Sequence, residues 1–223
     1  MDQVFAGFKW IALFKEWPIF LDGFATTLEL SILALLLALV LGVIFGVLGS
    51  SYWKAFKLAN RGYVEFFQNT PLVIQIFFLY HGLPHLGINL PVFLVGILGV
   101  GVYHGAYVAE VVRAGIESVH KGQMEAAYSQ GFSYWQAMRY IILPQVKRVV
   151  LPPMTNQAVN LIKNTSVVAM VAGGDLIYQA DCWSSQNLFY GPAYVITGLL
   201  YLSVCLPLAT FARRLEYRMG DHI

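Results

Sequence analysis

Charge is what this sequence has least of. Lys, Arg, Asp and Glu together make up 12% of its 223 residues, against 58% hydrophobic ones, where a soluble domain carries about 25% charged and about 45–50% apolar residues. Mean hydropathy is +0.63. That balance excludes an ordinary soluble domain and places the chain in a membrane. The net charge of +2 is too small to point to nucleic acid. Cysteine is nearly missing: Cys182 and Cys205 stand far apart, the second inside an apolar run, so no disulfide framework is expected. No Gly-x-x-x-x-Gly-Lys-Ser/Thr loop occurs, nor any Gly-Lys dipeptide, so the chain does not cradle nucleotide phosphates in the usual way. There is no His-Glu-x-x-His, no Ser/His/Asp set and no pair of carboxylates at membrane depth, which argues against a membrane-embedded enzyme. Met1-Asp2-Gln3 lacks the basic region of a cleaved signal peptide, so the first apolar segment is expected to be a retained span.

Long apolar runs are abundant, and they are punctuated. Five spans are expected, at about 26–48, 61–83, 91–116, 149–171 and 192–214, each near the roughly 20 residues a bilayer requires. Residues 1–22 precede them, with Trp10 and Trp17 among Phe residues and with Val4, Phe8, Ile11 and Phe14 at helical spacing. That segment suits the membrane interface, outside the span domain of 23–223, though a packed helix fits equally. Pro18, Asp22 and Gly23 are expected to break it, and Thr26 with Glu29 has the form of a capping box opening the first span. Gly42 and Gly46 form a small-residue pair of the kind that lets helices approach.

The basic residues fall in alternate connections. Lys54, Lys57 and Arg61 follow the first span in a short loop, Lys121 and Arg139 lie in the loop at about 119–146 with Lys147 and Arg148 just beyond it, and Arg213, Arg214 and Arg218 follow the fifth span. The two intervening loops, 81–89 and 172–191, hold no Lys or Arg. The positive-inside rule puts the basic clusters in the cytoplasm, the N-terminus outside and the C-terminus inside.

One polar island stands out in the long cytoplasmic connection. Gly122-Gln123-Met124-Glu125-Ala126-Ala127-Tyr128-Ser129-Gln130-Gly131 is a short helix-favouring run closed by a Gly, and Leu143-Pro144 follows a second short amphipathic run. The order Glu-Ala-Ala, Gly, Ile-Leu-Pro resembles the signature loop of the membrane subunits of ABC importers. Thr70-Pro71-Leu72-Val73-Ile74-Gln75, the run from Tyr107 to Ile116, Gly122-Gln123, Leu143-Pro144-Gln145 and Lys163-Asn164-Thr165-Ser166 extend the likeness. From Thr70 to about Leu176 the chain resembles permeases of the polar amino acid uptake family, which includes the histidine, glutamine, glutamate, arginine and cystine importers. The resemblance implies an all-α type I importer permease with a cytoplasmic coupling helix. It also implies a second permease subunit (a copy or a relative), a separate ATP-binding subunit that holds ATP and Mg, and a soluble amino acid receptor outside the inner membrane. No cofactor is expected on this chain itself, and no catalysis. Gln68-Asn69 replaces the Arg-Gly or Arg-Ser common before Thr-Pro, and Asn164 replaces a commoner Asp. Both departures bear on which amino acid is carried, and glutamine or glutamate is the preferred expectation.

Two groups of residues carry the expected chemistry. Glu125, Ala126, Ala127 and Gly131, with Leu143 and Pro144, are expected to dock the ATPase. Polar residues within spans are costly in lipid and face protein, water or substrate. Gln68, Asn69, Thr70 and Gln75 interrupt the second span at a Pro, where an unwound turn lining a cavity and a helix–helix hydrogen bond are both open readings. Lys163 lies beyond mid-membrane depth, where snorkelling and a pathway role with Asn160, Asn164, Thr165 and Ser166 compete. Glu110, Arg113 and Glu117 have the spacing of local ion pairs, with Glu110 kept as a pathway candidate. His81 and His85 are expected in a non-helical outer loop, because Gly82 and Pro84 intervene. An ion-gradient-coupled carrier is the competing class, and the absence of a visible internal repeat counts against it.

Overall fold

The computed structural model describes residues 4–51 and 53–220, which are helical almost throughout, with no strand among them. The principal helices are α1 (Gly7–Lys15), α2 (Trp17–Gly49), α3 (Lys54–Gln68), α4 (Leu72–Phe77), α5 (Val92–Glu117), α6 (Lys121–Ser129), α7 (Tyr134–Ala137), α8 (Leu143–Asn164), α9 (Leu176–Asn187) and α10 (Tyr190–Gly220). Trp17–Gly49, Val92–Glu117 and Tyr190–Tyr217 are each long and apolar enough to cross a membrane. Their lipid-type surface is plain: Ile32, Leu36, Val40 and Ile44 on α2 are all exposed.

The expected breaks near the N-terminus do not form. α2 starts at Trp17 and runs unbroken for 33 residues. Pro18 falls in its first turn, where a missing amide costs nothing. Thr26 is therefore inside the helix, and its hydroxyl donates to the carbonyl of Asp22 at 3.0 Å instead of capping anything. Residues 17–22 thus belong to the first long helix.

Three further local expectations are corrected. Lys54, Lys57 and Arg61 lie on α3, not in a loop. The stretch around His81 and His85 is helical after all, as a π turn over Phe78–Gly82 and a 3-10 turn over Leu83–Leu86. Pro84 is tolerated because it stands at the start of that tight turn. The Lys/Arg-free connection after the fourth span also folds, into α9, with Asp175 as its N-cap accepting from the amide of Ile177 at 3.2 Å.

The chain divides into two compact units. The first comprises Met1–Leu36, Pro71–Gly101 and Val159–Pro207. Its core joins Leu13 of α1 and Phe20 of α2 to Leu176, Ala180 and Trp183 of α9 and to Ala193 and Ile196 of α10. Phe20 meets Trp183 edge to face with centroids 5.6 Å apart, and the indole N–H of Trp183 donates to Glu16. The apolar residues of α1 are thereby split, with Leu13 buried and Phe8, Ile11 and Phe14 exposed.

The second unit comprises Leu37–Thr70, Val102–Ala158 and Leu208–Ile223. Here α2 and α5 come together through small residues, as the Gly42/Gly46 spacing predicts. A Cβ on Gly46 would stand 2.7 Å from the carbonyl oxygen of Ala109 and 2.6 Å from Cβ of Val112. A second cluster of Val108, Val112, Ile142, Val146 and Val150, with Met124 and Met138 against it, ties the long connection and α8 to α5.

Candidate functional site

The polar island folds as its sequence predicts. α6 covers Lys121–Ser129, and Gly131 takes a φ of +83° just beyond it. The amide of Gly131 donates to the carbonyl of Tyr128 at 2.9 Å and that of Phe132 to Ala127 at 3.1 Å, the paired bonds of a Schellman close. Ser133 then opens α7 with a reciprocal capping box to Gln136. A tight turn between two short helices is the product, held down by Met124 and Met138.

Its residues divide by exposure. Glu125, Ala126, Gly131, Leu143 and Pro144 are on the surface. Ala127 is 1% exposed and packs against its own chain. The segment also presents aromatic rings that sequence reasoning did not single out. Trp135 is 78% and Tyr140 62% exposed, with Tyr128 and Tyr134 beside them in sequence, and the guanidinium of Arg139 lies 5.9 Å from the ring of Tyr140. The signal was available in Tyr134-Trp135, two large rings in a polar connection.

The expected pathway residues fall into both units. In the second unit, α3 ends because Pro71 cannot continue it. Asn69 donates to the carbonyl of Glu65 at 2.7 Å and Thr70 to that of Phe66 at 2.8 Å, each closing the last turn on its own helix. Gln68 donates across to the carbonyl of Ala106 on α5 at 3.3 Å, near the bond from the Tyr63 hydroxyl to the carbonyl of Val102 at 2.7 Å. Glu110 is paired: Arg113 reaches it at 2.5 Å and Glu117 at 2.6 Å, so one guanidinium holds two carboxylates. Gln68 and Glu110 line one cavity.

In the first unit, Gln75 is buried on α4, and α4 packs against the 3-10 turn Thr165–Val171 that continues α8. Thr165 is fully buried and its hydroxyl donates to Ile162, while that of Ser166 donates to Lys163, each at 2.7 Å. Asn160 and Lys163 are exposed. Asn164 forms the hinge at which the α-helix tightens.

A profile of the family described as "Binding-protein-dependent transport system inner membrane component" matches residues 16–221. The chain belongs to that family. It is 44% identical over 207 residues to the probable glutamine ABC transporter permease protein GlnM of Bacillus subtilis (strain 168), covering 93% of this chain and 96% of that one. It is 33% identical over 217 residues to the glutamine transport system permease protein GlnP of Escherichia coli (strain K12), covering 95% and 98%. Among solved structures, an amino acid ABC transporter crystallised with histidines superposes with a TM-score of 0.86 at 33% identity, over 94% of this chain and 98% of that one. A chain of the MetNI methionine ABC transporter in an inward-facing conformation gives 0.71 at 16% identity over 90% and 98%, a likeness of fold alone. This family member is thus an all-helical amino acid ABC transporter permease of the type I importer fold, a multi-pass membrane protein. Its role is that of a transport subunit.

Proposed function

We propose that this chain is one of two transmembrane subunits of an ATP-driven importer that moves a polar amino acid, glutamine or glutamate first, across an inner membrane. Five crossings are carried by α2, by α3 with α4, by α5, by α8 and by α10, with the N-terminus outside and the C-terminus in the cytoplasm. ATP and Mg are held by a separate ATPase, and a soluble receptor delivers the amino acid from outside. The alternation of basic and Lys/Arg-free connections supports the orientation. The single observation that carries the coupling is the α6–α7 turn, in which Glu125, Ala126 and Gly131 and the ring of Trp135 project from a closed, internally anchored knuckle.

Docking on the ATPase is assigned to Glu125, Ala126, Gly131, Leu143 and Pro144, with Ala127 holding the knuckle from inside. Gln68, Asn69, Thr70, Gln75, Glu110, Asn160, Lys163, Asn164, Thr165 and Ser166 are the pathway candidates. The helix breaks at Pro71 and at Asn164 support that assignment, because irregular backbone at membrane depth is tolerated where it lines a cavity or is packed against protein.

The test is uptake into vesicles carrying this chain with its ATPase and receptor, over a panel of labelled amino acids with and without ATP. ATP-dependent accumulation of glutamine or glutamate is expected. Accumulation driven by an ion gradient without ATP would overturn the reading in favour of a coupled carrier.

A further inference from the structure

In the first unit, α1 packs with one side and leaves the other bare. Leu13 is fully buried in a core with Phe20, Trp183 and Ile196, and Trp10 packs against the same cluster. The ring of Phe8 meets Phe189 edge to face, 5.7 Å between centroids, and the Lys9 ammonium lies 5.2 Å from the centre of the Phe189 ring. Just before the helix, Val4 and Phe5 lie over the start of α10 so closely that a Cβ on Gly191 would stand 2.7 Å from Val4 Cγ1. On the side of α1 away from Leu13, Phe8, Ile11 and Phe14 fall within about 120° of one another, at about 100° per residue. Each of the three is about 60% exposed. Large apolar faces left open mark contacts with a membrane or a partner. Neither the docking nor the pathway assignment uses this one, and α1 precedes residues 16–221, the part of the chain shared with the family.

The level of α1 in the membrane follows from α10. Residues 190–212 hold no Asp, Glu, Lys or Arg, and Arg213 with Arg214 closes the run. Counting back from Arg213 the roughly 20 residues that span the hydrocarbon core reaches Ala193. Tyr190 and Tyr194, both exposed, stand at that end, where aromatic belts form. The contacts of α1 are made at the same level: Val4 and Phe5 at Gly191, Phe8 at Phe189, and Leu13 in the cluster of Ala193 and Ile196. The helix therefore lies where hydrocarbon gives way to headgroups. It carries no acid between Gly7 and Lys15, and Glu16 just beyond accepts from the indole of Trp183. Lys15 is exposed beside the apolar face, on a stem long enough to reach the headgroups.

We propose that the open side of α1 is a lipid-binding surface, with Phe8, Ile11 and Phe14 set among the acyl chains at the bilayer edge and Lys15 at the lipid phosphates. The interface helix and the packed helix, both open readings of this segment from its sequence, are realised on opposite sides of one element. Trp10 and Leu13 grip α9 and α10 while the other face rests on lipid, so α1 fastens the α9–α10 connection to the membrane surface. On the orientation given above the lipid is that of the outer leaflet. Only the choice of leaflet rests on that orientation; the seat itself follows from the contacts with α10.

The experiment is nitroxide accessibility on the assembled complex in lipid nanodiscs. Cys182→Ser removes the accessible native thiol, Cys205 being buried, and Ile11→Cys or Phe14→Cys carries the label. Both positions are exposed, and having two keeps the test readable where one label disturbs assembly. At each, oxygen, which concentrates in lipid, is expected to collide with the label severalfold more often than a water-soluble nickel chelate does. Adding the soluble receptor should leave that ratio unchanged. A label reached more often by the nickel chelate would put the face in water, and one shielded from both reagents would put a second permease or another protein against it. Shielding that appears only with the receptor would assign the face to the receptor. Each of these three results overturns the proposal. The readout requires no transport, so a failure of ATP-dependent uptake would remove the functional reading and leave the lipid surface standing.

Discussion

The amide of Leu176 donates to the hydroxyl of Thr27 at 3.0 Å, joining the first turn of α9 to α2 across 149 residues of chain. The same hydroxyl donates to the carbonyl of Gly23, and Thr27 is 1% exposed. Thr27→Val keeps the shape and removes both bonds. Because it strands a buried amide, it should lower stability by about 1–3 kcal/mol, read as a fall in Tm of the purified complex. An unchanged Tm would show that the α2–α9 junction rests on apolar packing alone.

Gly131 should tolerate a β-branched side chain poorly. Its φ of +83° lies in the left-handed region, where an ordinary residue pays about 1–2 kcal/mol. Gly131→Val, β-branched and strained at this φ, should therefore deform the knuckle and lower receptor-stimulated ATP turnover in the assembled complex. Full turnover in that variant would remove the docking assignment.

Trp135 is the most exposed ring of the same segment. Trp135→Ala should leave folding within about 0.5 kcal/mol, as expected at the surface. ATPase co-purification should nevertheless weaken by tenfold or more, since a buried aromatic anchor contributes about 2 kcal/mol to an interface. Normal assembly would place the contact elsewhere on the connection.

Close approach at Gly46 gives a packing test. Gly46→Ala puts a methyl against the Ala109 carbonyl and the stiff Val112 side chain. It should cost about 1–3 kcal/mol, whereas Gly198→Ala on α10, with nothing nearby, should cost none. Equal melting temperatures for the two variants would show that α2 and α5 shift apart freely.

Asp175 gives a pH dependence. Burial pushes its carboxyl up to about 6, against the opposing effect of the Ile177 amide. Because the folded value lies above the unfolded one, its contribution to stability is complete below pH ~4 and is lost as pH rises through about 6. The complex should be more stable near pH 4.5 than near pH 7 by on the order of 1–3 kcal/mol from this group. Asp175→Asn keeps a capping side chain and should flatten that slope. A slope that persists in the variant would assign it to other groups.

The sequence by itself determined the membrane class, the α6 turn closing at Gly131 and the Gly42/Gly46 packing face. Each follows from local rules, namely apolar run length, the φ that only Gly adopts readily and small-residue spacing. Lys54–Arg61, read as a loop, and Pro18–Gly23, read as a break, were misjudged for one reason. Local breakers and charges are overridden when a helix can bury its other face, as Phe20 does on Trp183 and Asn60 and Val64 do on α3. Burial decided the rest. Nothing local distinguishes Ala126 from Ala127, yet one faces outward and the other inward. The grouping of Lys57 and Asn60 with Glu110 and Arg113 joins positions some fifty residues apart. Only the packing of α3 against α5 places them around one cavity, because a hydrogen-bonded helix fixes side-chain direction along its own axis but not the helix it will meet.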